Sequence, residues 1–242
     1  RQKAAWEASH QEKEATPLST PPFESPLEEA SSSPLPSLSA KEQFFVLENG
    51  YQQLVFSNIG GALAEINLPF QREPHPNSVV REIGVDRKMA EHHPYNAHFP
   101  AHSYFTVTES GERVSHSAGK IGGYYPLLRR DLIQSSPQAT MTMSPQYYAL
   151  NLVGDTPSLG ELLYEVKKMD AHSITFQATQ PHRRITKTFS LGKEGEEGPY
   201  CLKLSLRIEG DAKNLWLSTG IPEVEWISGA SAPALKYRVT RN

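Results

Sequence analysis

The chain has 242 residues, a formal net charge of -3 and a single cysteine, Cys201. That length suits one all-β domain of about 200 residues plus a tail. The near balance of acids and bases leaves no basic footprint for nucleic acid, and one thiol can form neither an internal disulfide nor a cysteine-based zinc site. No window approaches the roughly 18 apolar residues that a membrane span needs. The first residue is Arg1 and no signal-peptide pattern follows, so the chain reads as a piece of a longer protein.

Residues 1–43 contain no glycine, six of the 19 prolines, and four of the 24 basic against seven of the 27 acidic residues. This segment therefore carries the whole net charge. Pro17, Pro21, Pro22, Pro26, Pro34 and Pro36, with Ser31–Ser33 among them, oppose regular hydrogen-bonded ladders and favour extended, solvated chain. The segment has too little apolar surface to offset an ordering cost of roughly 1–2 kcal/mol per residue. A Pro/Ser-rich tether is expected, disordered or partly helical. Ala4, Ala5 and Ala8 could begin a helix over its first 15 residues.

At Phe44-Phe45-Val46-Leu47 the composition switches, and the domain is expected to run over 44–242. Asn49-Gly50 and Gly60-Gly61 are turn signals that bound two β-prone runs, 51–58 and 61–68. Period-two alternation puts Ala62, Ala64, Ile66 and Leu68 on one face, with Leu63 interrupting the polar face of Glu65 and Asn67. Residues 71–145 are less legible. Short strands are expected at 79–85 and 103–108, a proline-broken loop at His92–His102, and either strand or short helix over Tyr124–Ile133.

From residue 146 the pattern clears. Strands are expected at Gln146–Val153, Glu161–Met169, Ser173–Thr179, Arg184–Leu191, Cys201–Ile208 and Leu215–Ile221, separated by turns such as Gly154-Asp155 and Gly210-Asp211. In Cys201–Ile208, alternation puts Leu202, Leu204, Leu206 and Ile208 inside and Lys203, Ser205 and Arg207 outside. Leu204→Ala would then cost roughly 2–5 kcal/mol. In Arg184–Leu191 the inward face is Ile185, Phe189 and Leu191, with Lys187 as an intruder. No helical apolar period persists beyond residue 43. Many strands joined by short turns predict antiparallel sheets packed face to face.

Candidate chemistry is sparse. His98 and His102 stand four apart, but Pro100 between them opposes a metal-binding helix, and no zincin glutamate follows. The glycine-rich stretches 119–123 and 192–198 lack the helix and the Gly-Lys-Ser/Thr ending of a phosphate loop, so both read as turns. Cys201 has no histidine nearby in sequence and reads as a structural thiol. His182-Arg183-Arg184, close to Lys187, makes a local basic spot, either a solvated edge or a contact to lipid headgroups or a partner. No catalytic, cofactor-binding or metal-binding residue is assigned.

Phe45-Val-Leu-Glu-Asn49, the Gly60-Gly61 hairpin through Leu68-Pro69, and Thr186-Lys-Thr-Phe-Ser-Leu191 followed by a long alternating strand stand in an order that resembles the periplasmic domain of the YidC membrane-protein insertases. The resemblance covers 44–242 and implies an antiparallel β-supersandwich, galactose-mutarotase-like in fold, outside the bacterial inner membrane. It also implies that residues 1–43 are a linker after a membrane helix. Nascent membrane proteins and Sec translocon components are the partners it implies, with insertion itself performed by membrane-embedded parts of the parent. The hairpin is also similar to that of the aldose 1-epimerases, and Ala101-His102-Ser-Tyr-Phe105 resembles their Asn-His-x-Tyr-Phe motif. Here Ala101 replaces the asparagine, the motif arrives only about 40 residues after Gly61, and no later glutamate base can be placed. An epimerase-like carbohydrate enzyme or a sugar-binding module is therefore the alternative.

Overall fold

A computed structural model describes residues 42–129, 131–133, 140–192 and 198–220. Residues 1–41 of the expected tether, most of the 192–198 turn and Ile221 lie outside the described residues. Strand β1 (Phe44–Glu48) turns at Asn49-Gly50 into β2 (Gln53–Ser57), which turns at Gly60-Gly61 into β3 (Ala62–Pro69). Helix α1 (Gly84–His92) and the short strands β4 (His98–Phe99), β5 (Tyr104–Val107), β6 (Arg113–His116) and β7 (Lys120–Ile121) follow, then β8 (Tyr124–Leu128). Next come β9 (Asp131–Ile133), β10 (Thr140–Thr142), β11 (Asn151–Gly154), β12 (Glu165–Met169), β13 (Ser173–Gln180), β14 (Arg183–Leu191), β15 (Leu202–Gly210) and β16 (Leu215–Ser218).

Two sheets make the body. One has six strands in the order β6-β5-β1-β2-β3-β8, the other four in the order β12-β13-β14-β15. All neighbours are antiparallel except β1 and β5, which run parallel because the excursion over residues 70–103 returns the chain to the far side of β1. The sheets meet through their aromatic faces. Phe45 and Phe56 of the first pack on Phe176 and Phe189 of the second, with ring centroids 4.8–6.3 Å apart. Leu47, Leu54, Leu63, Ile174, Ile185 and Leu191 complete this buried layer. The fold is an all-β sandwich.

The Gly60-Gly61 tip shows why glycine is required there. The two residues have φ of 75° and 50°, and a Cβ on Gly61 would come within 2.9 Å of the Tyr164 ring. Gly61→Ala should therefore destabilise the chain by about 2–4 kcal/mol, combining left-handed backbone strain and overpacking. A urea melt measures this; a change below about 0.5 kcal/mol would contradict the steric account.

Several expectations are corrected. Residues 84–92, within the excursion over 70–103, are helical, where 79–85 was expected as strand; in 79–83 only Val80 makes a bridge, to Phe70. The His92–His102 stretch is not all loop: it contains the helix end, a 3-10 turn at Pro94–Asn96 and β4. In β3 the alternation is broken by a bulge at Ala64, because Phe56 pairs with Leu63 but Val55 with Glu65. A bulge shifts the pleat by one residue. Leu63 and Ile66 thus reach the inter-sheet core, while Ala62 and Ala64 sit with Phe44, Val46, Val55 and Tyr148 on the sheet's other side.

In β15 the four expected inward residues divide. Leu202, Leu204 and Ile208 are half-buried against the core, but Leu206 is 37% exposed. The strand is the last of its sheet among the described residues, so its inner face is only partly covered. Leu204→Ala should accordingly cost about 1–2 kcal/mol, below the range for full burial, and Leu206→Ala no more than about 0.5 kcal/mol. Thermal melts of the two variants decide; equal large losses would put Leu206 inside.

Candidate functional site

An open cleft of about 660 Å³ lies where the edge strand β6 of the larger sheet faces the edge strand β12 of the smaller one. Phe45, Leu163, Tyr164 and Val166 give it apolar walls; Gln43, Asn58, Gln177 and Thr179 add amide and hydroxyl groups. Arg113 stands at its mouth, its guanidinium carbon 5.6 Å from the Phe45 ring centre and 5.9 Å from that of Phe105. Stacking on two rings holds this cation in place and leaves its edge for an acceptor. Across the cleft, Lys167 pairs with Glu165 at 2.5 Å. β12 is a guarded edge: it carries Glu165, Lys167 and Lys168, and its pairing with β13 is bulged between Val166 and Lys168. Charges and a bulge disfavour addition of a further strand. The cleft is therefore suited to grip side chains of an extended segment rather than to extend the sheet.

Behind the Tyr164 wall lies Lys187, fully buried. Its ammonium donates to the carbonyls of Gly60, at 2.8 Å, and Leu150, at 2.9 Å, and lies 5.2 Å from the centre of the Tyr164 ring. Burial pushes its pKa down to about 7. The apparent intruder thus ties β14 to the hairpin tip and to Leu150, whose φ is 60°. The signal was present in the sequence: a lysine at an inward position of a well-alternating strand. Burial likewise pushes the Tyr164 hydroxyl pKa up.

On the outer side of the larger sheet, Glu65 and Asn67 are fully buried. The Glu65 carboxylate accepts from the Ala101 N–H at 3.3 Å and from Asn67 Nδ2 at 3.2 Å, and Asn67 Nδ2 also donates to Gln53. Burial pushes the Glu65 carboxyl up from its ordinary range, against the opposing influence of Arg129, these hydrogen bonds and His102. Glu65 anchors the loop that carries His102. The epimerase-like histidine stacks on Phe44, with centroids 5.0 Å apart. The histidines of this region are engaged separately: His92 with the Lys88 carbonyl, His98 with the Gly119 carbonyl, His116 with Thr106. Among the described residues no three His, Cys, Asp or Glu side chains converge as a metal site would need.

Cys201 is exposed just ahead of β15. Gly119–Gly123 forms β7 and a turn. Arg183 and Arg184 begin β14, at the end of the sheet that includes the β13–β14 turn.

The cleft and the buried lysine sit within a chain that has clear relatives. It is 32% identical over 206 residues to the membrane protein insertase YidC of Chlamydia muridarum, covering 85% of this chain and 25% of that protein. It is 34% identical over 199 residues to the protein of the same name in Chlamydia caviae, covering 82% and 24%. For Chlamydia trachomatis the figures are 32% over 204 residues, 84% and 24%. The chain belongs to the YidC family. It spans about a quarter of the length of these YidC relatives. No protein-family model and no solved structure matches it. Among the described residues of this YidC-family domain, no helix is long and apolar enough to cross a membrane.

Proposed function

We propose that this chain is the periplasmic domain of a YidC-type insertase, assisting the insertion and folding of inner-membrane proteins and performing no catalysis itself. Residues 1–43 act as the tether to a membrane helix, and 44–242 as the folded body. The observation that carries the reading is the 32–34% identity to named insertases over more than four fifths of the chain. The cleft supports it further, because its mixture of aromatic, amide and cationic groups suits a segment of unfolded chain better than a defined small substrate. Nascent membrane proteins are the first partners, and Sec translocon components the second.

The test places photo-crosslinking residues at Arg113 and Val166 in the full-length parent, with Lys203 on β15 as the comparison position. Nascent membrane-protein chains should crosslink at the first two sites in preference to the third. Equal or absent crosslinking at all three would remove the cleft from the function. A mutarotation assay on glucose and galactose should show no turnover; turnover lost in His102→Ala would favour a carbohydrate enzyme instead.

A further inference from the structure

The lining of the cleft holds two cations, Arg113 and Lys167, against one carboxylate, Glu165. Lys167 and Glu165 pair with each other at 2.5 Å, whereas Arg113 pairs with no carboxylate among the described residues. The lining therefore carries one net positive charge, and it sits on Arg113. Across the β5–β6 ladder Arg113 faces Val107, so it shares the face of Phe105, two residues away on the same strand. This is why its guanidinium reaches the rings of Phe105 and Phe45. Stacking uses the faces of a guanidinium; its five N–H groups lie in the plane and remain uncommitted. The side chain is exposed, so these donors are open to an incoming group. The cleft also presents apolar surface: Leu163 is 39% exposed and Val166 is half-buried.

A cation held on aromatic rings, accessible along its edge and set beside apolar surface, matches a segment that carries both a carboxylate and apolar side chains. Two oxygens of a carboxylate accept from two parallel N–H groups of a guanidinium, which adds orientation to charge. A side-chain amide offers one acceptor and no charge, and a lysine or arginine of the segment is repelled. In extended chain the side chains at i and i+2 leave the same side, roughly 7 Å apart. An acid on Arg113 and an apolar residue two positions away therefore address the same wall of the cleft. We infer that Arg113 determines which segments the cleft favours: those with an Asp or Glu side chain two residues from an apolar one. The inference rests on the proposed reading of the cleft as a site for extended chain and adds to it the class of segment.

The test titrates the 242-residue chain into fluorescently labelled peptides, capped at both ends, that alternate serine with leucine or valine around one central aspartate. Matched peptides carry asparagine or lysine at the centre, and anisotropy gives each Kd. A photo-crosslinking residue at Val166 reports whether the peptide lies in the cleft. The aspartate peptide should bind about fivefold tighter than the asparagine one, the size of a well-oriented but solvent-accessible ion pair, and the lysine peptide should bind most weakly. Arg113→Gln should remove the difference between aspartate and asparagine. If that variant does not fold, the wild-type chain still decides: raising sodium chloride from about 0.05 to about 0.5 M should weaken the aspartate peptide alone. Equal affinities with crosslinking at Val166 would overturn the role of Arg113 and leave the cleft reading standing. An aspartate preference that persists in Arg113→Gln would assign it to another cation and also overturn the inference. No binding of any peptide would sink the cleft reading, and this inference with it.

Discussion

Phe176→Ala should lower the stability of the folded chain by about 3–5 kcal/mol, the largest loss expected of any single core truncation here. Phe176 is fully buried, and it is the ring through which the two sheets hold each other. It meets Phe45 edge-on at 5.9 Å and Phe189 edge-on at 6.2 Å, and it also lies beside Phe56 at 6.3 Å. Removing it takes away the buried area and opens a cavity bounded by two sheets whose hydrogen-bonded ladders resist collapse. Against a typical stability of 5–15 kcal/mol, this is enough to populate unfolded chain at moderate temperature. Denaturant melts give the number. A loss below about 1 kcal/mol would mean that the sheets do not pack through this ring.

The second large effect concerns Lys187 and carries a pH signature. Lys187→Met keeps much of the side-chain volume but leaves the buried carbonyls of Gly60 and Leu150 without this donor. At about 1–3 kcal/mol for each, the cost at alkaline pH is about 2–5 kcal/mol. Burial lowers the pKa of Lys187 in the folded state to about 7, against an ordinary value of 10.5. Between those values the unfolded chain binds more protons than the folded one, so stability rises with pH across that window. The contribution is complete above about 10.5 and is lost as pH falls through about 7. A neutral amine still has two N–H groups for the two carbonyls, so the hydrogen bonds survive deprotonation. The buried tyrosines, whose pKa values burial raises, titrate above this window and act in the opposite direction. Melts of wild type and Lys187→Met at pH 6, 8 and 10 should therefore diverge, the wild type gaining roughly 2–5 kcal/mol over the variant from the lowest to the highest pH. Parallel profiles would show that Lys187 keeps its proton throughout.

The two residues were unequally legible from the chain. Phe176 lies in Ile174-Thr-Phe-Gln-Ala178, where alternation marks the inward side directly, and the structure buries all three apolar residues. Lys187 obeys the same alternation, but its residue type argues against burial, and nothing local tells that two carbonyls from residues 60 and 150 wait for it. The bulge at Ala64 had the same effect on β3. Its neighbours give no sign of it, because the extra residue is specified by how β2 pairs across the strand. The exposure of Leu206 depends on what covers the far side of β15, which is a property of the sheet rather than of the strand. Helix α1 escaped because its nine residues, with few apolar positions, give no sustained helical period.

The cleft was wholly illegible. Its lining comes from β1, β6, β12 and β13 and the segments beside them, and no spacing within the chain relates Arg113 to Phe45 or Tyr164. The basic spot at Arg183-Arg184 was visible as composition, yet only the pairing of β14 with β15 sets Arg184 beside Glu209.

The sequence by itself determined the all-β class, the Gly60-Gly61 hairpin and the inward faces of β13 and β14, because period two and positive-φ glycine act over a few residues. The tertiary structure alone decided which carbonyls Lys187 meets, where β3 shifts its pleat, and which side chains line the cleft. Those outcomes depend on how separate segments pair and meet, from the neighbouring strands β2 and β3 to Lys187 and Gly60, 127 residues apart, and local propensity carries no information about such contacts.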